Sequence, residues 1–201
     1  MIQCVISDLG KVLILFDNGI FYRKIARFSS FSSNQIEKKV REHRETIQDF
    51  DTGKLSPQQF YKKVKEILKL NIGYSEFYSM YNDVFFLNVP VLNLFYQLKK
   101  NYRLVLLSNT DVMRFTFLKK KFPEILIFDE YILSYEVKMM KPNPWIFRKA
   151  LQKGGVKPED CVFVDDREEN IQEAERLGIH TIHMKPHTHL ENRLRKIGVF
   201  F

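Results

Sequence analysis

The chain has 201 residues, 45% of them hydrophobic, with 32 Lys and Arg against 24 Asp and Glu and a formal net charge of +8. That length holds one full domain, or a core with a small accessory domain. No apolar run approaches the ~18 residues of a membrane span, and the start lacks the basic region, apolar stretch and small-residue cleavage site of a signal peptide. With only two cysteines, the expectation is a soluble cytoplasmic protein with no membrane partner and reduced thiols. The positive excess is spread along the chain, and Lys119-Lys120-Lys121 reads as the end of a helix. This argues against a nucleic-acid partner and fits a field that attracts anionic small molecules.

The first element is the run Cys4-Val5-Ile6-Ser7-Asp8-Leu9-Gly10. Its apolar residues continue without polar alternation, as in a buried parallel strand. An Asp closing such a strand lies on the carboxyl edge of the sheet, where open α/β folds bind ligands. From 17 to 87 the chain is polar and aromatic, contains no convincing strand, and reads as a compact helical module. Ser32 with Gln35 carries one capping-box signature; Ser56-Pro57-Gln58-Gln59 carries a stronger one, with Pro at the first helical position. Phe60, Val64, Ile67 and Leu68 then form an apolar face at helical spacing. From Val89 onward helices and strands alternate. Helices are predicted over 91–100 and 110–121, strands over 103–108, 128–133, 161–164 and 179–184. A further helix opens at Asn143-Pro144, and another stops at Gly178. Such alternation predicts an α/β fold with a parallel sheet and helices on both faces.

Three of the predicted strands end in polar residues at the same relative place: Asp8, Ser108-Asn109 and Asp165-Asp166. Lys141 lies on a loop between the last two. Two carboxylates, a hydroxyl and an ammonium on one sheet edge have the parts of a phosphoryl-transfer site. One carboxylate can attack phosphorus, the carboxylates together can hold Mg²⁺, and the ammonium can stabilise the transferring group.

The motifs Asp-Leu-Gly-x-Val from Asp8, Leu-Leu-Ser-Asn-Thr ending at Thr110, Glu-Val-x-x-x-Lys-Pro-x-Pro around Lys141, and Val-Asp-Asp-Arg-x-x-Asn around Asp165 occur in that order. In this order they resemble the haloacid dehalogenase-like (HAD) superfamily over essentially the whole chain. The subgroup they most resemble contains glucose-1-phosphate phosphatases and the phosphatase-like N-terminal domains of epoxide hydrolases. The resemblance implies a Rossmann-like core from 1–16 and 88–201, with a helical cap from 17–87 inserted after the first strand. It implies Asp8 as the nucleophile and Lys141 as the residue that neutralises the phosphoryl group and orients Asp8. Ser108 and Asn109 bind substrate, and Mg²⁺ is held by Asp8, the Gly10 carbonyl, Asp165 and Asp166. Asn170 supports the site from outside. The expected activity is Mg²⁺-dependent hydrolysis of a small phosphorylated metabolite, a sugar phosphate among the candidates, by a monomer or weak homodimer. The alternatives are a 2-haloacid dehalogenase-type hydrolase and a non-catalytic binding or regulatory protein.

The pattern departs from most phosphatases of this superfamily at Gly10, where they carry a second Asp that protonates the leaving group. Either the substrates leave easily, or the cap supplies an acid, with His43 as its one histidine. Phe16, Tyr22, Arg44 and Phe50 are candidates to face the site. Asp166 paired with Glu169 also reads as a helix cap, and Lys11 either adds charge to the site or is solvated. Cys4 and Cys161, each four residues before an aspartate, lie on strands that the resemblance implies are neighbours, and are expected side by side in the sheet as reduced thiols. His180 and His183 point to opposite faces of a strand, which argues against a zinc site.

Overall fold

The computed structural model describes residues 1–200. Strand β1 (Cys4–Ser7) leads to β2 (Ile14–Phe16) and then to five helices: α1 (Asn18–Ile25), α2 (Ser33–Glu42), α3 (Arg44–Asp51), α4 (Pro57–Ile67) and α5 (Tyr74–Asn82). Strand β3 (Phe85–Leu87) returns the chain to α6 (Val89–Leu98), β4 (Arg103–Ser108), α7 (Val112–Lys121), β5 (Glu130–Leu133) and the short α8 (Ser134–Val137). Helices α9 (Pro144–Gly154) and α10 (Glu168–Arg176) flank β6 (Cys161–Asp165), and β7 (His180–His183) and α11 (Leu190–Lys196) close the chain.

The main sheet has the order β5-β4-β1-β6-β7, with every pair parallel. Strand β1 is central and fully buried. Its alternate side chains divide the core: Cys4 and Ile6 face the layer that includes Phe147 and Ala150 of α9 and Ile171 and Ala174 of α10. Val5 faces the larger apolar cluster that runs from α6 and α7 into the helices before β3. Ser7 pairs with Val164, so Asp8, one residue on, is level with Asp165 at the carboxyl edge. The Asp8 N–H bonds to the Val164 carbonyl at 2.9 Å.

Both predicted capping boxes form, with Ser32 and Ser56 each accepting from the backbone of the Gln three residues on. Asn143 caps α9 ahead of Pro144, and Gly178 sits at φ +82° just past α10. Cys4 and Cys161 are register partners, buried and unbridged.

Three elements differ from expectation. Phe85–Leu87 is a strand, not part of an all-helical stretch, and pairs antiparallel with Ile14–Phe16. Three residues are too few to show a period of two, and the ribbon exists only because β2 lies opposite. The short α8 follows β5 directly, where a loop was expected. Helix α11 follows β7, and its buried Leu190 and Leu194 complete the core around Val199. No helix among the described residues is long and apolar enough to cross a membrane.

Candidate active site

The ends of β1 and β6 and the loop before α9 converge on one ammonium. Lys141 Nζ lies 2.8 Å from Asp8 Oδ1 and 2.7 Å from Asp165 Oδ2. All three residues are buried, Asp165 completely. Burial pushes the Asp8 carboxyl up to about 6, with Lys141 pulling against it and Asp165 adding to it. Burial alone would lower the Lys141 ammonium, but Asp165 and Asp8 outweigh it and the net direction is upward. The lysine therefore stays charged, and its chemistry is that of an electrostatic clamp.

Asp165 is held from its other side. Its Oδ1 accepts from the Arg167 N–H at 2.8 Å, and the buried Asn170 amide lies 3.0 Å from both of its oxygens. Asp166 does not cap α10: the cap position is Arg167, without a side-chain bond, and Asp166 Oδ2 instead lies 3.3 Å from Lys11 Nζ. Asp8, Asp165 and Asp166 each offer an oxygen, and these lie within 4.8 Å of one another. Three carboxylates thus stand against two ammonium groups, and the donors are hard oxygens of the kind Mg²⁺ prefers.

Asn109 uses its amide on the Lys141 loop, donating to the Lys141 carbonyl at 2.9 Å and accepting from its N–H at 2.8 Å. It sets the position of the lysine while lining the cleft over Asp8. Ser108 is buried at the end of β4 and lines an adjoining cavity. Neither caps α7. That role belongs to Asp111, whose carboxylate accepts from the Arg114 N–H.

The cleft over Asp8 is bounded by Gly10, Lys11, Phe16, Asn109, Lys141 and Asp166 among others. A second, smaller cavity shares Gly10, Phe16 and Asn109 with it and extends to Asp51, Thr110 and Arg114. Arg114 also borders a third, among the helices before β3. Phe16 therefore sits at the candidate site. Tyr22 and His43 line the third cavity instead. Arg44 is exposed and borders none of the three, and Phe50 is buried and stacked on Phe60 at 4.1 Å.

Sequence reasoning missed the cluster of Asp51, Asp111 and Arg114. Tyr81 donates to Asp111 at 2.8 Å, and the Arg114 guanidinium lies 4.3 Å from the Tyr81 ring centroid and bonds Asn18 at 3.3 Å. Asp111, directly before an apolar-periodic run, carries the N-cap signal that would have found it.

Comparison with known proteins agrees with this geometry. The family profile described as haloacid dehalogenase-like hydrolase matches residues 2–178. A D-ribitol-5-phosphate phosphatase of Bacteroides thetaiotaomicron is 28% identical over 193 residues, covering 90% of this chain and 91% of that protein. A HAD family enzyme from Bacteroides thetaiotaomicron superposes with a TM-score of 0.85 at 28% identity, over 96% of this chain and 98% of its own. The wild-type enzyme, solved with magnesium and inorganic phosphate, gives 0.81 at 25% identity, over 97% and 100%. The L-2-haloacid dehalogenase of Xanthobacter autotrophicus shares the fold at a TM-score of 0.67 and 17% identity, covering 100% of this chain and 85% of its own. A profile that spans most of the sequence, with relatives alike from end to end, makes this chain a member of the haloacid dehalogenase-like hydrolases.

Proposed function

We propose that this hydrolase is a Mg²⁺-dependent phosphatase for a small phosphorylated metabolite, with Asp8 as nucleophile and the helices between 17 and 87 as a cap over the site. The observation that carries the reading is the Lys141 ammonium held between Asp8 and Asp165 on the carboxyl edge of the sheet. A single buried cation there fixes one oxygen of Asp8 and leaves the other for attack on phosphorus. It also lies where negative charge grows on the transferring group.

The donor set fits a divalent cation. Asp8, the Gly10 carbonyl, Asp165 and Asp166 would hold Mg²⁺, which when bound offsets the charge of the ester among three carboxylates. Asn170 keeps Asp165 in place, and Asn109 does the same for the Lys141 loop. The relative named as a D-ribitol-5-phosphate phosphatase supports polyol and sugar phosphates as the first substrates to try. The three gathered carboxylates weigh against a 2-haloacid dehalogenase, which attacks carbon and has no need of a paired-carboxylate cation site.

A panel of polyol and sugar phosphates, assayed for phosphate release with Mg²⁺ and with EDTA beside Asp8→Asn, tests the reading. Turnover that needs both Mg²⁺ and Asp8 is expected. Absence of turnover by the wild type across the panel, or equal rates in Asp8→Asn, overturns it.

A further inference from the structure

Gly10 has no side chain that could serve as an acid, and the structure shows what occupies the space where one would project. A Cβ added at Gly10 would lie 3.1 Å from Cε1 of Phe16. The aromatic ring stands where a longer side chain would project. Phe16 also forms part of the wall between the cleft over Asp8 and the neighbouring cavity, and the two spaces share Gly10, Phe16 and Asn109. The cavity therefore lies directly beside the cleft in which an ester would sit with its phosphorus against Asp8.

Among the residues lining that cavity there is one carboxyl, Asp51, contributed by the last turn of α3. Its surroundings are unusual for an aspartate. A carboxylate at a helix C-terminus faces the negative end of the helix dipole. No hydrogen bond from any described residue reaches its side chain, although Asp111 beside it accepts from Tyr81 and from the Arg114 N–H. The position is fixed nonetheless. Lys138 Nζ donates to the Gly53 carbonyl at 3.0 Å, and Gly53, at φ +63°, packs so closely that a Cβ would fall 2.4 Å from the Tyr135 carbonyl oxygen. The loop that follows Asp51 is thereby locked onto the core beside β5.

On the reading of the chain as a phosphatase, we propose that Asp51 is the general acid and base of the reaction, supplied by the cap in place of the side chain missing at Gly10. In the first step an oxygen of Asp8 attacks phosphorus and the bond from phosphorus to the ester oxygen breaks. The bonding pair passes to that oxygen, which takes the Asp51 proton and leaves as an alcohol. In the second step a water oxygen attacks the phosphorus of phospho-Asp8 and gives a proton to the Asp51 carboxylate. The bond from phosphorus to the Asp8 oxygen breaks with its pair passing to that oxygen, so inorganic phosphate departs, Asp8 is again a carboxylate, and Asp51 is again an acid.

The charged and titratable groups around Asp51 suit this task. Burial pushes its carboxyl up to about 7 and Asp111 adds to the rise, while Arg114 pulls the other way. Tyr135 and Lys138 flank the adjoining loop from the core, and Tyr81 stands behind Asp111. The acid is protonated at the pH where it has to donate, and its anion is basic enough to accept from water.

The test compares Asp51→Asn with wild type by kcat/KM, which reports every step through loss of the leaving group. Phosphate esters are taken in order of leaving-group acidity, from 4-nitrophenyl phosphate through phenyl phosphate to glycerol phosphate. The expected result is a loss of about 10²-fold or more on glycerol phosphate and less than about tenfold on 4-nitrophenyl phosphate. A basic limb near pH 7 in the wild-type profile for glycerol phosphate should be missing from the variant. An equal loss on every ester overturns the proposal, and so does an unchanged profile. Turnover of 4-nitrophenyl phosphate by the variant establishes that the fold and the Asp8 centre are intact. Failure of the wild type on all three esters would instead strike at the phosphatase reading.

Discussion

At the scale of single residues, Lys141 is the position on which the site depends most. It neutralises two buried carboxylates at once, so its removal leaves Asp8 and Asp165 side by side without a counter-charge. Leaving a buried charge unpaired costs about 3–5 kcal/mol. In Lys141→Met the Asp8 carboxyl, already raised by burial, loses the ammonium that pulls it down and titrates higher still in the folded chain, so its penalty is absent at low pH and grows as pH rises through the folded pKa. The expected outcome in EDTA is a melting temperature well below wild type at pH 8 and closer to it at pH 5; with Mg²⁺ supplied instead, phosphatase activity should be reduced at least 10²-fold at both. A melting temperature lowered equally at the two pH values would show that the lysine acts through the packing of its buried alkyl chain and not through its charge. Asn170 gives a milder case. Asn170→Ala removes the bonds to both Asp165 oxygens but leaves Lys141 in place, and a loss of about 1–3 kcal/mol in urea denaturation is expected.

At the scale of elements, the sequence carried the parts of the fold whose cause is local. Asp8 was legible because a carboxylate at the end of a buried strand needs a counter-charge or a ligand, and Asp165 and Ser108 repeat its position. The helix starts at Ser32, Ser56 and Asn143 were legible because a cap is written in three or four adjacent residues. Asp51 was not legible, because its meaning depends on which part of the core the end of α3 meets. That contact is made by Gly53, Tyr135 and Lys138, with more than eighty residues between the two sides. Arg114 was hidden for the same reason: it starts on α7 of the core and ends against Tyr81 and Asn18 of the helical module. The docked loop can be tested directly. Gly53→Ala puts a methyl into the Tyr135 carbonyl at a left-handed backbone position, so the loop has to lift. Activity is expected to fall by tenfold or more, with a stability loss of only about 1–2 kcal/mol. Ser56→Ala, which removes a cap bond at the other end of the same loop, should cost about 1 kcal/mol and leave turnover near wild type. Equal effects of the two changes on activity would show that the loop position does not matter to turnover.

At the scale of the whole molecule, the seam between module and core is where stability and chemistry oppose each other. The apolar cluster that fills the sheet's larger face continues into the module through Phe21, Phe77 and Tyr81, so the two parts share one core. Within the seam lie Asp51 and Asp111, both raised from the ordinary carboxyl value, first by burial. A carboxyl that titrates higher in the folded chain binds more protons there than in the unfolded chain. Its effect on stability is therefore most favourable below the unfolded pKa and is lost as pH rises through the folded one. For Asp51 that window runs from the ordinary carboxyl value, near 3.8, up to about 7. Asp51→Asn, which carries no charge, should match wild type near pH 4 and exceed it at pH 8 by roughly 1–3 kcal/mol, the partial exposure of the group reducing the full effect. For a chain of this length that is a rise of about 2–4 °C per kcal/mol in thermal melts. The same substitution is expected to lower kcat/KM on alkyl phosphates, so the variant gains stability where it loses chemistry, as at sites held for function. A fall in both stability and activity at pH 8 would make Asp51 a packing residue of the seam and remove the thermodynamic reason for assigning it to catalysis.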